Sequence, residues 1–186
     1  MTTEAEVSPC NGDKDILTKY CTPTISFVWR PEEMTSAVIT MARRTGSRAL
    51  FDFSTMAMEP LGCALQTAGV TGPVRDIKIS LTALMAPSLP QVLQKCEVEN
   101  IWVECHPLFF LGNYYVFLQR LRELSKNYRC FPIIGDLDLL GALVPDSSGI
   151  SGVVLKGCEA AGFVSNETTL ALYAAAKEIL PGLSHS

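Results

Sequence analysis

An apolar, β-rich run followed by a helical pattern recurs six times along this chain, and that recurrence constrains the fold more than any other feature. ISFVW precedes PEEMTSAVITMARRTG, RALFDF precedes MEPLGCALQTAG, and VRDIKIS leads through an irregular stretch to LPQVLQKCEV. NIWVEC precedes YYVFLQRLRELSKNY, RCFPIIG precedes DLDLLGALV, and SGVVLKG precedes NETTLALYAAAKEIL. The first helix has ordinary boundary chemistry: Pro31 opens it, acidic residues fill its first turn, basic residues its last, and Gly46 follows. In the fourth helix, Val116, Leu118, Leu121 and Leu124 are expected to share one buried face. Strands that are apolar nearly throughout, alternating with helices, argue for a parallel sheet covered on both faces.

The fold class is therefore α/β, and two architectures accommodate six units. One is an incomplete TIM-barrel-like array of parallel βα repeats, since a complete barrel takes roughly 250 residues and this chain has 186. The alternative is a doubly wound open sheet. One domain is expected over residues 24–182. Residues 1–23 are polar and lack sustained periodicity, which predicts a flexible leader.

Composition narrows the function classes. Apolar residues make up 48% of the chain, enough for a sizeable core without metals or disulfides. Fifteen basic residues against nineteen acidic ones give a net charge of -4, with the cations scattered, so no nucleic-acid partner is expected. No apolar run reaches the roughly 20 residues of a membrane helix, and the first residues lack a signal-peptide pattern, which predicts a cytoplasmic protein with no membrane contact. Seven cysteines lie far apart, with no CxxC pair and no histidine spacing for zinc. Most are expected to be reduced and buried.

In either architecture the working face lies at the carboxyl ends of the strands. The polar residues there are Asp52, Ser80, Glu104, His106, Asp136, Lys156 and Glu159. Each also has a plain structural reading. Asp52 and Asp136 suit helix caps, where a side-chain oxygen stabilises by about 1 kcal/mol, and His106, the one internal histidine, precedes Pro107 in a loop. There is no GxGxxG, no GxxxxGK, no GxSxG and no HExxH, so dinucleotide, P-loop, serine-elbow and zinc-protease chemistry lack support. The most specific stretch is GVVLKGCEAAGFVSNETTL. Gly157 and Gly162 there give the backbone freedom to approach a ligand, and Ser165 or Asn166 can cap the next helix.

That stretch resembles the glycine-rich turn after the sixth strand of nitronate monooxygenase-like flavin barrels, and is most similar to the version found as a domain of multidomain polyketide synthases. The matching positions are Leu155, Lys156, Gly157, Glu159, Ala160, Gly162, Val164, Glu167, Thr168 and Thr169, while ISFVWRPEE to RRTGSRALFDFS resembles the opening units of that domain. The resemblance covers about 160 residues in layout and is specific over about 20. It implies a TIM barrel binding FMN at the carboxyl ends of its strands, with Gly157, Glu159, Ala161 and Gly162 at the cofactor. It also implies a histidine after a Gly-Gly pair, which removes a proton beside the nitro group.

Here Phe163 stands at the histidine position, Ala161 replaces the first glycine of the pair, and the seventh and eighth units are lacking. The expectation is accordingly a degenerate domain of a polyketide-synthase-type protein with a structural or docking role. Its implied partners are other synthase domains, an acyl carrier protein, or a second copy in a homodimer. The alternative is an FMN-dependent oxidoreductase acting on acyl or nitronate-like substrates, with His106, Glu104 and Lys156 as catalytic candidates. A third reading is a doubly wound domain, unrelated to flavin, that binds a small ligand at its strand ends.

Overall fold

The computed structural model describes residues 24–28, 33–71, 73–105, 107–143, 149–158 and 166–179. Six strands are present: β1 Thr24–Val28, β2 Arg48–Asp52, β3 Asp76–Ser80, β4 Asn100–Glu104, β5 Arg129–Ile134 and β6 Val154–Leu155. Between and after them come the helices α1 Glu33–Thr45, α2 Met58–Thr71, α3 Leu81–Met85, α4 Leu89–Leu93, α5 Pro107–Ser125, α6 Leu137–Leu143 and α7 Thr169–Ile179. All neighbouring strands pair in parallel, and their spatial order is their order in the chain.

That order has no reversal of the kind that marks a doubly wound sheet. Successive right-handed crossovers in one direction place the helices on one face and curl the sheet, giving a half-barrel. Among the described residues β1 pairs only with β2 and β6 only with β5, so the sheet stays open.

The helix-facing side carries the core. Phe51, Ile77, Ile79, Ile101, Val103, Cys130 and Ile134 come from successive strands, and Ile39, Leu61, Leu65, Leu121 and Leu140 pack over them from the helices. Each fully buried side chain of this size contributes about 1.5–3 kcal/mol of transfer free energy. On the concave side, Leu50, Asp76 and Asn100 are buried, but towards the carboxyl ends Lys78, Ser80, Trp102 and Glu104 are only half-buried. This corrects the expectation of two covered faces. The strands look continuous in apolar character because Ile, Val and Phe dominate them, but their polar positions fall with a period of two on one side.

Other local expectations change in detail. Gly46, at φ 63°, ends α1, with Gly46 N–H donating to Arg43 O and Ser47 N–H to Ala42 O, a Schellman closure that only glycine enters without strain. In α5, Phe117, Leu118, Leu121 and Leu124 are buried, whereas Val116 is 51% exposed, because the stripe centres one residue further along than expected. The stretch after β3 is not irregular: Ser80 Oγ accepts from Ala83 N–H and opens α3. α7 is capped by Thr168, whose Oγ1 accepts from Ala171 N–H, in place of Asn166, while Ser165 lies outside the described residues. Of the described cysteines, Cys105 and Cys130 are buried, Cys96 is half-buried, and Cys63 and Cys158 are exposed, so burial is not the general rule among them.

Candidate functional site

Four charged side chains meet on the concave face at the carboxyl ends of the strands. Lys78 and Asp52 are register partners on β3 and β2, and Lys78 Nζ lies 2.9 Å from Asp52 Oδ2. Glu104 stands diagonally across on β4, with Oε2 3.1 Å from the same ammonium. Its other oxygen, Oε1, accepts from Lys156 Nζ at 2.7 Å. Lys156 follows β6 and reaches past β5. The register makes room for it: Ile134 lies beside Leu155, so the next position on β5 is Gly135, which has no side chain.

The chain of charges therefore alternates as Asp52, Lys78, Glu104, Lys156. Their side chains are between 12 and 20% exposed, sheltered enough that screening by water is incomplete. Burial opposes charge on Asp52, yet hydrogen bonds from Ser54 and Lys78 outweigh it and hold the carboxyl below its ordinary value. Burial likewise opposes charge on Glu104, and Lys156 and Lys78 outweigh it in the same direction. For Lys78, burial is overcome by Asp52 and Glu104, which raise the ammonium above the ordinary lysine value. Lys78 thus keeps its proton at neutral pH and has no lone pair with which to attack a carbonyl.

The turn after β6 is also internally engaged. Gly157 N–H donates to Thr169 Oγ1 at 3.0 Å, Cys158 N–H donates to Glu167 O at 2.7 Å, and Lys156 N–H donates to Ile134 O. Those amides tie β6 to the start of α7 and are not presented to a ligand. Beside them lies a cleft of about 230 Å³ whose polar lining is Asp136, Asp138, Asn166 and Glu167. An FMN phosphate brought there would meet three carboxylates, which repel it at short range. The described lining of this cleft does not suit the phosphate of FMN.

Of the residues expected to work at this face, the structure unites Glu104 and Lys156, adds Asp52, and buries Gly157 in the turn. Ser80 is the cap of α3, and Asp136 caps α6 by accepting from Leu139 N–H at 3.0 Å. Asp52 is not a helix cap, since Oδ1 takes Ser54 N–H and Ser54 Oγ while Oδ2 takes Lys78. His106, Glu159, Ala161, Phe163 and Gly162 lie outside the described residues. Lys78 is the member that reading the sequence missed. Its signal was the alternation in DIKIS, which sets Asp76, Lys78 and Ser80 on one face against Ile77 and Ile79.

At the other end of the concave face, Asp76 and Asn100 are register partners and are 5% and 1% exposed. Asp76 Oδ1, Asn100 Oδ1 and Trp102 Nε1 lack a hydrogen bond of good geometry. Burial pushes the Asp76 carboxyl up against the pull of Arg48, Trp102 and Asn100. Among the described residues no group of three or more His, Cys, Asp and Glu is placed to hold a metal ion, and no helix is long and apolar enough to cross a membrane. No family model matches this chain, and no curated protein does either.

Proposed function

We propose that this chain is a nitronate monooxygenase-like domain of the polyketide-synthase type that has lost its oxidative chemistry and serves a structural or docking role. The observation that carries the reading is the closed sequence of ion pairs Asp52, Lys78, Glu104, Lys156 at the carboxyl ends of the strands. A general base there would need a carboxylate or amine poised to accept a proton near neutral pH. Instead, Asp52 is held below its ordinary value by hydrogen bonds from Ser54 and Lys78, Glu104 by Lys156 and Lys78, and Lys78 is held in its charged form.

The committed amides of Gly157 and Cys158 and the acid-lined cleft support the same reading on the cofactor side. What such a domain retains is a half-barrel whose two outer strands, among the described residues, each pair on one side only. Such edges pair readily with another chain. Other synthase domains, an acyl carrier protein, or a second copy of this chain are the partners this role implies.

Titration of the purified protein with FMN, followed by flavin fluorescence, separates this reading from an FMN-dependent oxidoreductase. The expected result is a colourless protein with no saturable quenching up to about 100 µM FMN, an affinity threshold of about 5.5 kcal/mol. Saturable quenching below that concentration, with flavin released on denaturation, would overturn the proposal in favour of the oxidoreductase.

A further inference from the structure

A second cleft, of about 380 Å³, opens at the amino-terminal ends of β2 and β3, opposite the ion-pair chain. Arg43 from α1, Arg48 at the start of β2 and Arg75 just before β3 all line it. Arg75 is matched by Glu99, at 3.3 Å. Among the described residues neither Arg43 nor Arg48 is joined to a carboxylate in an ion pair, although the charge of Arg48 acts on buried Asp76. Asp76 and Glu99 line the cleft as well, so its three arginines outnumber its carboxylates, and Arg43 and Arg48 are the two that lack a bonded counterion. An anion in the cleft would be attracted by both.

The end of α1 would ordinarily disfavour an anion, because terminal carbonyls carry the negative end of the helix dipole. Here they are already occupied: Ala42 O and Arg43 O accept the Schellman amides, and Met41 O accepts from Thr45 Oγ1 at 3.0 Å. The apolar part of the lining comes from Ile39, Ala42, Ala49 and Pro73, a surface suited to a small organic group. The volume falls within the range of small-molecule sites.

We propose that this cleft binds a small phosphomonoester, whose doubly charged phosphate is held by Arg43 and Arg48 while its organic part rests on the apolar wall. Guanidinium forks match phosphate oxygens in geometry, and two of them balance a dianion. A carboxylate offers one charge and leaves the second arginine unmatched. The site stands apart from the flavin question, since it uses none of the residues at the strand carboxyl ends.

Calorimetric titration of the whole protein at low salt tests the proposal, with phenyl phosphate as the probe and phenylacetate as the carboxylate control. Phenyl phosphate is expected to bind one to one with Kd below about 1 mM, to be displaced by inorganic phosphate, and to bind about tenfold more tightly than phenylacetate. Arg43→Gln and Arg48→Gln should each weaken it about tenfold. Glu99→Gln, which releases Arg75, should tighten it severalfold. Absence of saturation up to about 10 mM, equal binding of phenylacetate, or unchanged affinity in arginine variants that melt like the parent would overturn it. If an arginine variant does not fold, the exposed Glu99→Gln decides, and failure of that variant to tighten binding counts against the site.

Discussion

Glu104 lies between two ammonium groups, and its removal takes from Lys156 its carboxylate partner and leaves Lys78 with Asp52 alone, on a face only partly open to water. Glu104→Gln is expected to lower stability by about 2–3 kcal/mol, at or below the low end of what breaking a fully buried pair costs. The same residues set a pH window. Asp52 and Glu104 are depressed, so their contribution is present above the unfolded carboxylate values and is lost as pH falls through the lower folded ones. Lys78 is raised, so its contribution is complete below the unfolded value of 10.5 and is lost as pH rises through the higher folded one. Urea midpoints measured from pH 2 to pH 11 should therefore show a plateau in the middle, with a shallower acid limb in Glu104→Gln. An unchanged acid limb would show that the ion pairs contribute nothing to folding.

At the scale of elements, α3 is only five residues long and survives because its far end is held from outside. Arg120 on α5 donates from Nε to Leu84 O at 3.2 Å and from Nη2 to Ala86 O at 2.7 Å, while Nη1 meets Glu123 at 2.8 Å. These are the carbonyls a short helix leaves without partners. Arg120→Ala should cost about 2 kcal/mol, read as a shift in urea midpoint, and Arg120→Lys should recover only part of it, since one ammonium does not reproduce a fork. Another contact of this kind is Gly149. It is buried against α5, where an added Cβ would lie 2.8 Å from Arg122 N. Periodicity announced α5 itself, but the short α3 was hidden in a stretch broken by Pro87 and Pro90. The arginine that holds it sits 34 to 36 residues further along, beyond the reach of any local pattern.

For the whole molecule, the open sheet is the feature with consequences. β1 and β6 each have one described neighbour, and exposed parallel edges of this kind invite pairing. The docking role proposed above predicts self-association through these edges. Sedimentation equilibrium at micromolar concentration should give twice the 20.2 kDa mass of the chain, and a species of 20.2 kDa alone would count against it.

The repeating alternation of apolar strands and helices, the parallel class and most element positions were determined by the sequence itself, because hydrophobic periodicity is a local property. Glu104 and Lys156 were also legible as polar residues at strand ends. What only the tertiary structure decided was their meaning. The curl of the sheet brings Asp52, Lys78, Glu104 and Lys156 from four separate strands or strand ends to within 3.1 Å of their partners, turning possible acids and bases into counterions. At the opposite end, Arg43 and Arg48 line one cleft, and among the described residues neither has a carboxylate bonded to it. Charge pairing depends on distance through space, and that distance is set by strand register and curvature, which no single segment encodes.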